Sequence, residues 1–383
     1  MAKKPQRKRT WCLRGKKTFT MKKLFIFFLC LYGASASAQE PIAIGCDNEK
    51  LKSEPGKWLP QPKDEVDLSS SRPSAADVAG AKTVFNKMGK LFQEQYNPLG
   101  VDVYNYLTHF SAPGSLYSNS YIYTLSNFRY LCINGKRARN AEAVSSSVTI
   151  NPVQTSGGVQ FRKMDVYDQS GKLSSEVDNT GGFYSLTSTQ CKGKRLPDFS
   201  NGYHSFQSGG DYYVWITYEG KMPYRYVSRK EFLEKQVVIG EAKLKEKNKY
   251  YSSKDWKELL DLLPENKEKL LEGKESELSR YEDLLESYRK DLRKDSAWLN
   301  KIAVVKQETV SDVYRYVFTT VDDPYMSAVP IMPNPDYYNR KLPKWAPQFM
   351  IIDISWSEDF IGKNIRKVID NNIEYFKSIL VNQ

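Results

Sequence analysis

The spacing of apolar positions changes inside residues 212–233, and this change divides the chain. In the first seven of these positions, apolar residues occupy both sides of an extended chain. One side carries Tyr213, Trp215 and Thr217, and the other carries Tyr212, Val214, Ile216 and Tyr218. This pattern predicts a strand that is covered on both faces. Beyond it, apolar residues recur every three or four positions, as in a helix.

The helical part begins with a capping signal. In Ser228-Arg229-Lys230-Glu231, the Ser hydroxyl can accept from the third helical amide while the Glu side chain reaches back to the Ser amide. We therefore place the main architectural boundary between Gly220 and Ser228.

Residues 74–227 read as an N-terminal α+β domain. Ser74 precedes a helix with a three-to-four-residue apolar period, and strand-like segments follow at 101–110, 118–133, 145–150, 159–167, 182–186 and 211–218. Asn134-Gly135 predicts a type I′ hairpin, because both central residues of that turn need positive φ. A long helix followed by antiparallel strands suggests an α+β layer, as in a cystatin or a nuclear-transport-factor-2 cone.

Residues 228–300 are rich in Lys, Glu and Leu, and predict an inserted antiparallel coiled-coil arm. One seam comprises Leu278, Tyr281, Leu285, Tyr288, Leu292 and Leu299, interrupted by Asp295, and the other comprises Leu233, Val237, Gly240 and Leu244. Such an arm either binds a partner or a second copy, or closes on itself. The shortness of the seams favours closure.

The strand pattern resumes after the arm, at 302–305, 313–320 and 348–356, and an amphipathic helix at 358–380 closes the chain. A loop dense in Pro and Tyr separates the last two strands. This order permits one domain interrupted by the arm or two small α+β units, each a sheet packed by one helix. We prefer two units, the second being residues 301–383.

Most of the net positive charge lies in a predicted export signal. Ten basic side chains and no acids lie in residues 1–38, and they account for all but two of the +12 net charge. A short apolar run at 24–32 and the small residues Ala36-Ser37-Ala38 predict a signal peptide with an N-terminal extension. The run is too short for an uncleaved membrane anchor. We expect a periplasmic or secreted protein that binds no nucleic acid, with a flexible leader at 39–73 anchored by Trp58.

Three cysteines remain after cleavage: Cys46, Cys132 and Cys191. We favour a disulfide between Cys132 and Cys191, since both lie in the strand-rich part. All three thiols being free and buried is the alternative. No metal-ligand spacing such as CxxC or HxxxH is present, and we expect no metal or cofactor.

No enzyme motif is present, including GxSxG, the phosphate-binding loop and HExxH. His204 beside Ser205 reads as a solvated turn rather than a catalytic pair. Glycosidase-type chemistry needs two carboxylates that are close in space, and no sequence motif marks such a pair. Asp322, Asp323 and Asp336 are therefore candidates for it. Turn capping is the simpler interpretation of these acids.

Aromatic side chains supply the candidate binding surface. Flat rings with a polar rim suit sugars and peptides, and the candidates are Tyr121, Tyr123, Tyr212, Tyr218 and Tyr337. The alternative is that they pack between sheet and helices, as aromatics in strands commonly do.

Three segments carry a resemblance. They are residues 223–233 (PYRYVSRKEFL), 334–338 (NPDYY) and 347–349 (PQF). They resemble stretches of uncharacterised exported proteins of Bacteroidota. The resemblance covers only the surroundings of these motifs. It implies a periplasmic or secreted location and supplies neither an activity nor functional residues.

The leading hypothesis is therefore an exported, non-enzymatic protein that binds a glycan, peptide or protein partner through an aromatic, concave sheet. A hydrolase of envelope polymers that uses paired carboxylates is one alternative. An assembly component that forms homo-oligomers through the helical arm is the other.

Overall fold

The computed structural model describes residues 46–60, 73–111, 119–140, 144–152, 183–191, 195–310 and 313–381. The predicted signal peptide at 1–38 and the predicted strand at 159–167 lie outside these ranges.

The described residues form a mixed α+β structure with antiparallel sheets and eight α-helices. The helices are α1 (Asn48–Leu51), α2 (Ala75–Gln95), α3 (Arg229–Tyr251), α4 (Lys254–Leu262), α5 (Lys267–Leu292), α6 (Ser296–Leu299), α7 (Phe360–Asp370) and α8 (Ile373–Ile379). The strands are β1 (Val101–Ser111), β2 (Ser120–Ile133), β3 (Lys136–Arg139), β4 (Val144–Ile150), β5 (Tyr184–Leu186), β6 (Tyr203–Ser208), β7 (Asp211–Ile216), β8 (Tyr224–Tyr226), β9 (Val305–Val310), β10 (Val313–Phe318), β11 (Val329–Pro333) and β12 (Met350–Ile354).

The largest sheet joins both ends of the chain. Its order is β1-β2-β4-β12-β7-β6, with β3 also paired to β2. The late strand β12 therefore lies between β4 and β7, and Ile352 pairs with Val148 on one side and Val214 on the other. The predicted division into two separate α+β units is wrong. A strand whose residues are apolar on both sides is most stable in the middle of a sheet, where both of its faces are buried. This holds whatever the position of the strand in the sequence.

The strand β7 separates two hydrophobic cores, as its apolar pattern predicted. Tyr212, Val214 and Ile216 face the first core, which α2, α7 and α8 cover. Tyr213 and Trp215 face the second core, which the small sheet β5-β11-β8 helps to cover. Trp215 is fully buried there. Two-sided burial explains why residues 212–216 are all aromatic or β-branched apolar residues.

Three short strands were missing from the sequence prediction. The strand β6 contains His204 and Ser205, which were predicted to lie in a solvated turn, β8 follows Pro223, and β11 contains Pro330 and Pro333. Pro lacks a backbone donor, yet the carbonyl of Pro330 still accepts from Val227 N at 3.1 Å. Tertiary pairing therefore outweighed local propensity.

Residues 46–60 are docked rather than flexible, which corrects the first part of the predicted 39–73 leader. Val103 N donates to Lys57 O at 2.8 Å, and Leu59 N donates to Val103 O at 2.7 Å, so the segment adds to the edge of β1. Leu51 is buried, and the predicted anchor Trp58 packs edge-on against Tyr96 with centroids 6.3 Å apart.

The disulfide joins Cys46 to Cys132, with their Cα atoms 5.7 Å apart. The predicted Cys132–Cys191 pairing is therefore wrong. Cys132 lies beside the docked segment 46–60, and its backbone amide donates to Asn48 Oδ1 at 2.8 Å. Cys191 is a free thiol in the second core, and burial raises its pKa to about 11. The pairing depends on the docking of a segment that had been read as flexible.

The helices α3 and α5 pack antiparallel. Glu241 pairs with Arg289 at 2.8 Å, and Lys247 pairs with Glu277 at 2.7 Å. Gly240 permits the close approach, because a Cβ there would lie 2.6 Å from a methyl group of Leu285. The connection between the two helices contains the helix α4, and Asp295 caps α6 instead of continuing α5.

The predicted capping box is present and is reinforced at the root of these helices. Ser228 Oγ accepts from Glu231 N at 3.2 Å, and Glu231 Oε2 accepts from Ser228 N at 3.0 Å. The Arg225 guanidinium donates two hydrogen bonds to Glu231. The Arg229 guanidinium packs against the rings of both Trp298 and Phe318, at 4.6 and 5.0 Å from their centroids. The PYRYVSRKEFL segment therefore fastens the helices to the sheets.

This root should be sensitive to acid. The hydrogen bonds from Arg225 hold the pKa of Glu231 below its usual value. A lowered pKa contributes stability above the unfolded-state value, and that stability is lost as the pH falls through the folded-state value. Glu231→Gln should cost about 1 kcal/mol at neutral pH and flatten the fall in stability below about pH 4.5.

Urea denaturation from pH 7 to pH 3 measures both effects. Glu234→Gln is the matched control, since Glu234 is exposed and lies 3.8 Å from Lys230. An unchanged acid slope in Glu231→Gln would contradict the assignment.

Candidate functional site

Four of the five predicted ligand-binding tyrosines lie in the cores. Tyr121, Tyr123, Tyr212 and Tyr337 are at most 6 % exposed. Their hydroxyl groups have partners inside the protein: Tyr121 donates to Trp345 O at 2.9 Å, and Tyr212 donates to Asp370 at 2.9 Å. Burial raises the pKa of all four. Their predicted role at a binding surface is wrong, and the alternative of packing between sheet and helices describes them.

The fifth, Tyr218, is half-buried. Its hydroxyl donates to Val381 O at 2.8 Å, and its ring packs against Tyr337 with centroids 5.1 Å apart. Burial raises its pKa to about 12. It therefore ties Val381 to the segment that follows β7, and its ring offers no open face comparable to a sugar platform.

The acids singled out from the sequence do not form a catalytic pair. Asp323 accepts from Thr319 Oγ1 and from Tyr325 N, and these bonds lower its pKa. Asp336 lies exposed in a turn where its amide donates to Asn334 Oδ1, and Asp322 is also exposed. Asp323 thus caps a turn, as the simpler interpretation proposed.

His204 lies in β6 and not in a solvated turn. Its Nε2 is 2.9 Å from Gln190 O, and its ring contacts Phe199, Phe206 and Trp215. Successive residues of a strand face opposite sides of the sheet, so Ser205 points away from it. The two residues therefore cannot act as a nucleophile and its base.

A different pair of carboxylates flanks Tyr213. Asp353 lies opposite Tyr213 in the sheet, and Asp211 is two residues before Tyr213. Burial is the main cause of the raised pKa of Tyr213, and both acids raise that pKa further. Both oxygens of Asp211 are engaged: Oδ1 accepts from Trp356 N at 3.0 Å and Oδ2 accepts from Tyr213 at 3.4 Å. Asp211 therefore holds the loop after β12 in place.

The candidate site is a polar groove where α2 and α7 both end. Its volume is about 350 Å³. The lining residues are Gln95, Tyr96, Asn97, Leu99, Asn364, Lys367, Val368, Asn371 and Asn372. Five of the nine carry side-chain amides. We name this the amide groove.

Local sequence positions both walls. Asn97-Pro98-Leu99-Gly100 follows the end of α2, and Gly100 adopts φ +70°, which a side chain would strain. The α7 helix ends at Asp370, and Asn371-Asn372 make the turn into α8. Both helices lie on the same face of the large sheet, which brings residues 95–99 and 364–372 together.

The floor of the groove is apolar and fixed, whereas its rim is polar and available. Tyr96 and Val368 are buried, and the Tyr96 hydroxyl donates to Asn127 Oδ1 at 3.0 Å. Asn372 Nδ2 donates to Val368 O at 2.7 Å, which leaves its carbonyl oxygen open. The side chains of Gln95, Asn97, Asn364 and Asn371 form no hydrogen bond within the described part of the chain.

The electrostatics of the groove favour a neutral ligand. The C-termini of α2 and α7 carry partial negative charge, and the N-terminus of the short helix α8 carries partial positive charge beside Asn372, so these partial charges partly cancel at the groove. Lys367 is the one charged side chain that lines the groove among the described residues. Primary amides both donate and accept, so they can match hydroxyl groups in either role. The arrangement suits a polar, uncharged molecule.

Sequence reasoning missed this site. Asn97, Asn371 and Asn372 each lie at a helix end, where Asn is common for local reasons. An unusual number of amides near helix ends was the available signal. It could not show that two helix ends more than 260 positions apart would meet.

A scan against protein-family models and searches of curated proteins and of solved structures found nothing that matches this chain. Within the described ranges, no group of three or more His, Cys, Asp or Glu side chains is arranged to hold a metal ion. No helix in those same ranges combines the length and apolar character needed to cross a membrane.

Proposed function

We propose that this protein is an exported, non-enzymatic binding protein whose amide groove holds a segment of a glycan. The observation that carries the proposal is the convergence of five amide side chains over an apolar floor, four of them without a hydrogen bond among the described residues. A few convergent polar groups around a concave apolar surface are the usual composition of a small-molecule site.

A neutral glycan fits this groove better than a peptide or an anion. Sugar hydroxyl groups need donors and acceptors at close spacing, and Asn and Gln supply both. An anionic ligand would find one lysine and the N-terminus of α8, but it would also face the C-termini of α2 and α7. A peptide would be expected to need side-chain pockets beside the polar rim, which nine lining residues do not provide.

Export is the second part of the proposal. It rests on the signal-like pattern of residues 21–38 and on the Bacteroidota resemblance, and the Cys46–Cys132 disulfide supports it. Disulfides persist in the periplasm and outside the cell and are rare in the cytosol. The helices α3 and α5 then act as a coiled-coil arm that extends from the sheets.

The acidic alternative has weaker support. Hydrolysis by paired carboxylates needs two acids facing a cleft with room for a sugar. Asp323 and Asp211 have their oxygens engaged by turns and loops. We therefore place the glycan in the amide groove without a hydrolytic step.

A panel of neutral oligosaccharides, acidic oligosaccharides and peptides, screened by thermal shift and titration calorimetry, tests the proposal. We expect a neutral oligosaccharide to raise the melting temperature. Asn364→Ala combined with Asn371→Ala should weaken its binding roughly tenfold or more, since each lost hydrogen bond is worth about 1 kcal/mol.

Asn248→Ala is the matched control, because Asn248 is an exposed helical asparagine on α3, far from the groove in sequence. It should leave binding unchanged. Binding that survives the double variant, or a panel in which only peptides bind, would contradict the proposal.

A further inference from the structure

The distal end of the helical arm exposes an unusual amount of apolar surface. Of the nine large apolar side chains that are strongly exposed among the described residues, three lie here: Tyr250, Leu262 and Leu263. Leu262 is 75 % exposed. Clustered exposed apolar residues mark interaction sites more often than scattered ones do. We name this region the arm tip.

The arm tip also contains a groove of about 450 Å³ between α4 and α5. Tyr251, Trp256, Leu263 and Leu270 form its apolar part. Gly273 leaves one side open, since a Cβ there would meet no atom within 4 Å. Trp256 is itself buried against Tyr251, with ring centroids 4.8 Å apart, so the groove has a rigid wall.

Charges of opposite sign accompany the groove and the exposed leucine. Lys269 and Lys274 are the charged side chains that line the groove. Leu262, in contrast, lies between Asp261 and Glu265, which are both exposed. One arm tip thus carries an apolar knob with acidic neighbours and an apolar groove with a basic rim.

We propose that two copies of this chain pair arm tip to arm tip, with Leu262 of each copy inserted into the groove of the other. A two-fold interface requires that one surface complement itself, and a knob and a groove of opposite charge on the same tip meet that requirement. This proposal concerns the arm and is independent of ligand binding in the amide groove.

The charge balance of the arm favours a second copy over an anionic partner. Residues 229–300 contain 17 basic and 17 acidic side chains. A nucleic acid or an acidic membrane would be expected to select a basic surface, and a balanced one offers no net attraction. The groove has eight lining residues, against roughly 20 to 30 residues per side in a standard stable interface, so we expect a weak dimer that depends on concentration.

Charge reversal of each half of the interface provides a decisive experiment on the full chain. One variant carries Asp261→Lys and Glu265→Lys, and the other carries Lys269→Glu and Lys274→Glu. Each alone places like charges together at both contacts and should dimerise more weakly than wild type. Mixed, the two variants regain opposite charges at both contacts and should form a heterodimer.

Sedimentation velocity from micromolar to millimolar protein measures these states. Wild type should form more dimer as its concentration rises. Each charge-reversed variant alone should have a dimer dissociation constant about tenfold or more above that of wild type. Leu262→Ser should also weaken it without lowering the melting temperature, whereas Val238→Ser, at another exposed apolar position of the arm, should not change it. A wild type that stays monomeric, or variants that fail to recover on mixing, would overturn the proposal.

Discussion

Replacing Asn151 by Asp is expected to lower the free energy of unfolding by about 3 to 5 kcal/mol at neutral pH, because it places an unbalanced charge in the interior. Asn151 is 2 % exposed and adopts φ +45°. Its Oδ1 accepts from the amides of Gln348 and Phe349, at 2.9 and 3.2 Å. Its Nδ2 donates to the carbonyls of Asn119 and Ala346, at 3.3 and 2.9 Å.

An aspartate at position 151 would still accept the hydrogen bonds from the amides of Gln348 and Phe349. Its second carboxylate oxygen would face the carbonyl oxygens of Asn119 and Ala346, which repel it. Its pKa in the folded protein should therefore rise. A raised carboxyl pKa means that the folded state takes up the proton first. The deficit should therefore shrink as the pH falls through this raised pKa toward the unfolded-state value of about 3.9. Chemical denaturation at pH 7 and pH 5 measures the deficit and its pH dependence.

Two further variants separate the causes. Asn151→Gly keeps the positive φ and removes the amide, so its cost reports the four hydrogen bonds alone and should not depend on pH in this range. Asn86→Asp, at an exposed position in the middle of α2, should stay within about 0.5 kcal/mol of wild type. A tolerated Asn151→Asp would show that the network does not hold β12 in register.

Removing the disulfide is expected to have the second large effect. The double variant Cys46→Ser, Cys132→Ser should lose up to roughly 4 to 5 kcal/mol in the chain-entropy model, because the bond closes a loop of 86 residues. The segment 54–59 should exchange its amide hydrogens faster, since the disulfide keeps it beside β1. Guanidinium denaturation and hydrogen exchange measure the two effects.

Cys191→Ala is the control, because Cys191 is a free thiol in the second core. The Cys191→Ala variant should lose only the small part of the free energy of unfolding that comes from packing of the thiol. A reductant should still destabilise this variant as much as it destabilises wild type. Peptide mapping under non-reducing conditions should link Cys46 to Cys132. A link from Cys132 to Cys191, or a double variant as stable as wild type, would contradict the assignment.

Local features were predictable because neighbouring residues fix them. The type I′ turn has Asn134 at φ 51° and Gly135 at φ 73°, and few other residue pairs tolerate both values. The capping box of Ser228 and Glu231 needs four consecutive positions. The two-sided burial of β7 follows from its alternating residues alone. Each of these is decided within a few residues.

The candidate site was not predictable for the opposite reason. The tyrosines chosen from the sequence have the composition of a binding surface, but burial and a hydrogen bond satisfy them equally well, as Tyr121 shows. The amide groove needs Asn97 and Asn371 to meet, and no local pattern specifies that encounter. Composition names side chains that are able to bind, and only packing decides which of them reach the surface.

The amino-acid order thus determined the long helices α2, α3 and α5, the hairpin and the caps, because hydrogen bonds and side-chain periods within a few residues set these. The tertiary structure decided that β12 lies between β4 and β7, that Cys46 reaches Cys132, and that two helix ends enclose a groove. These features depend on which apolar faces bury each other across hundreds of residues, and many sequence positions satisfy that requirement equally well.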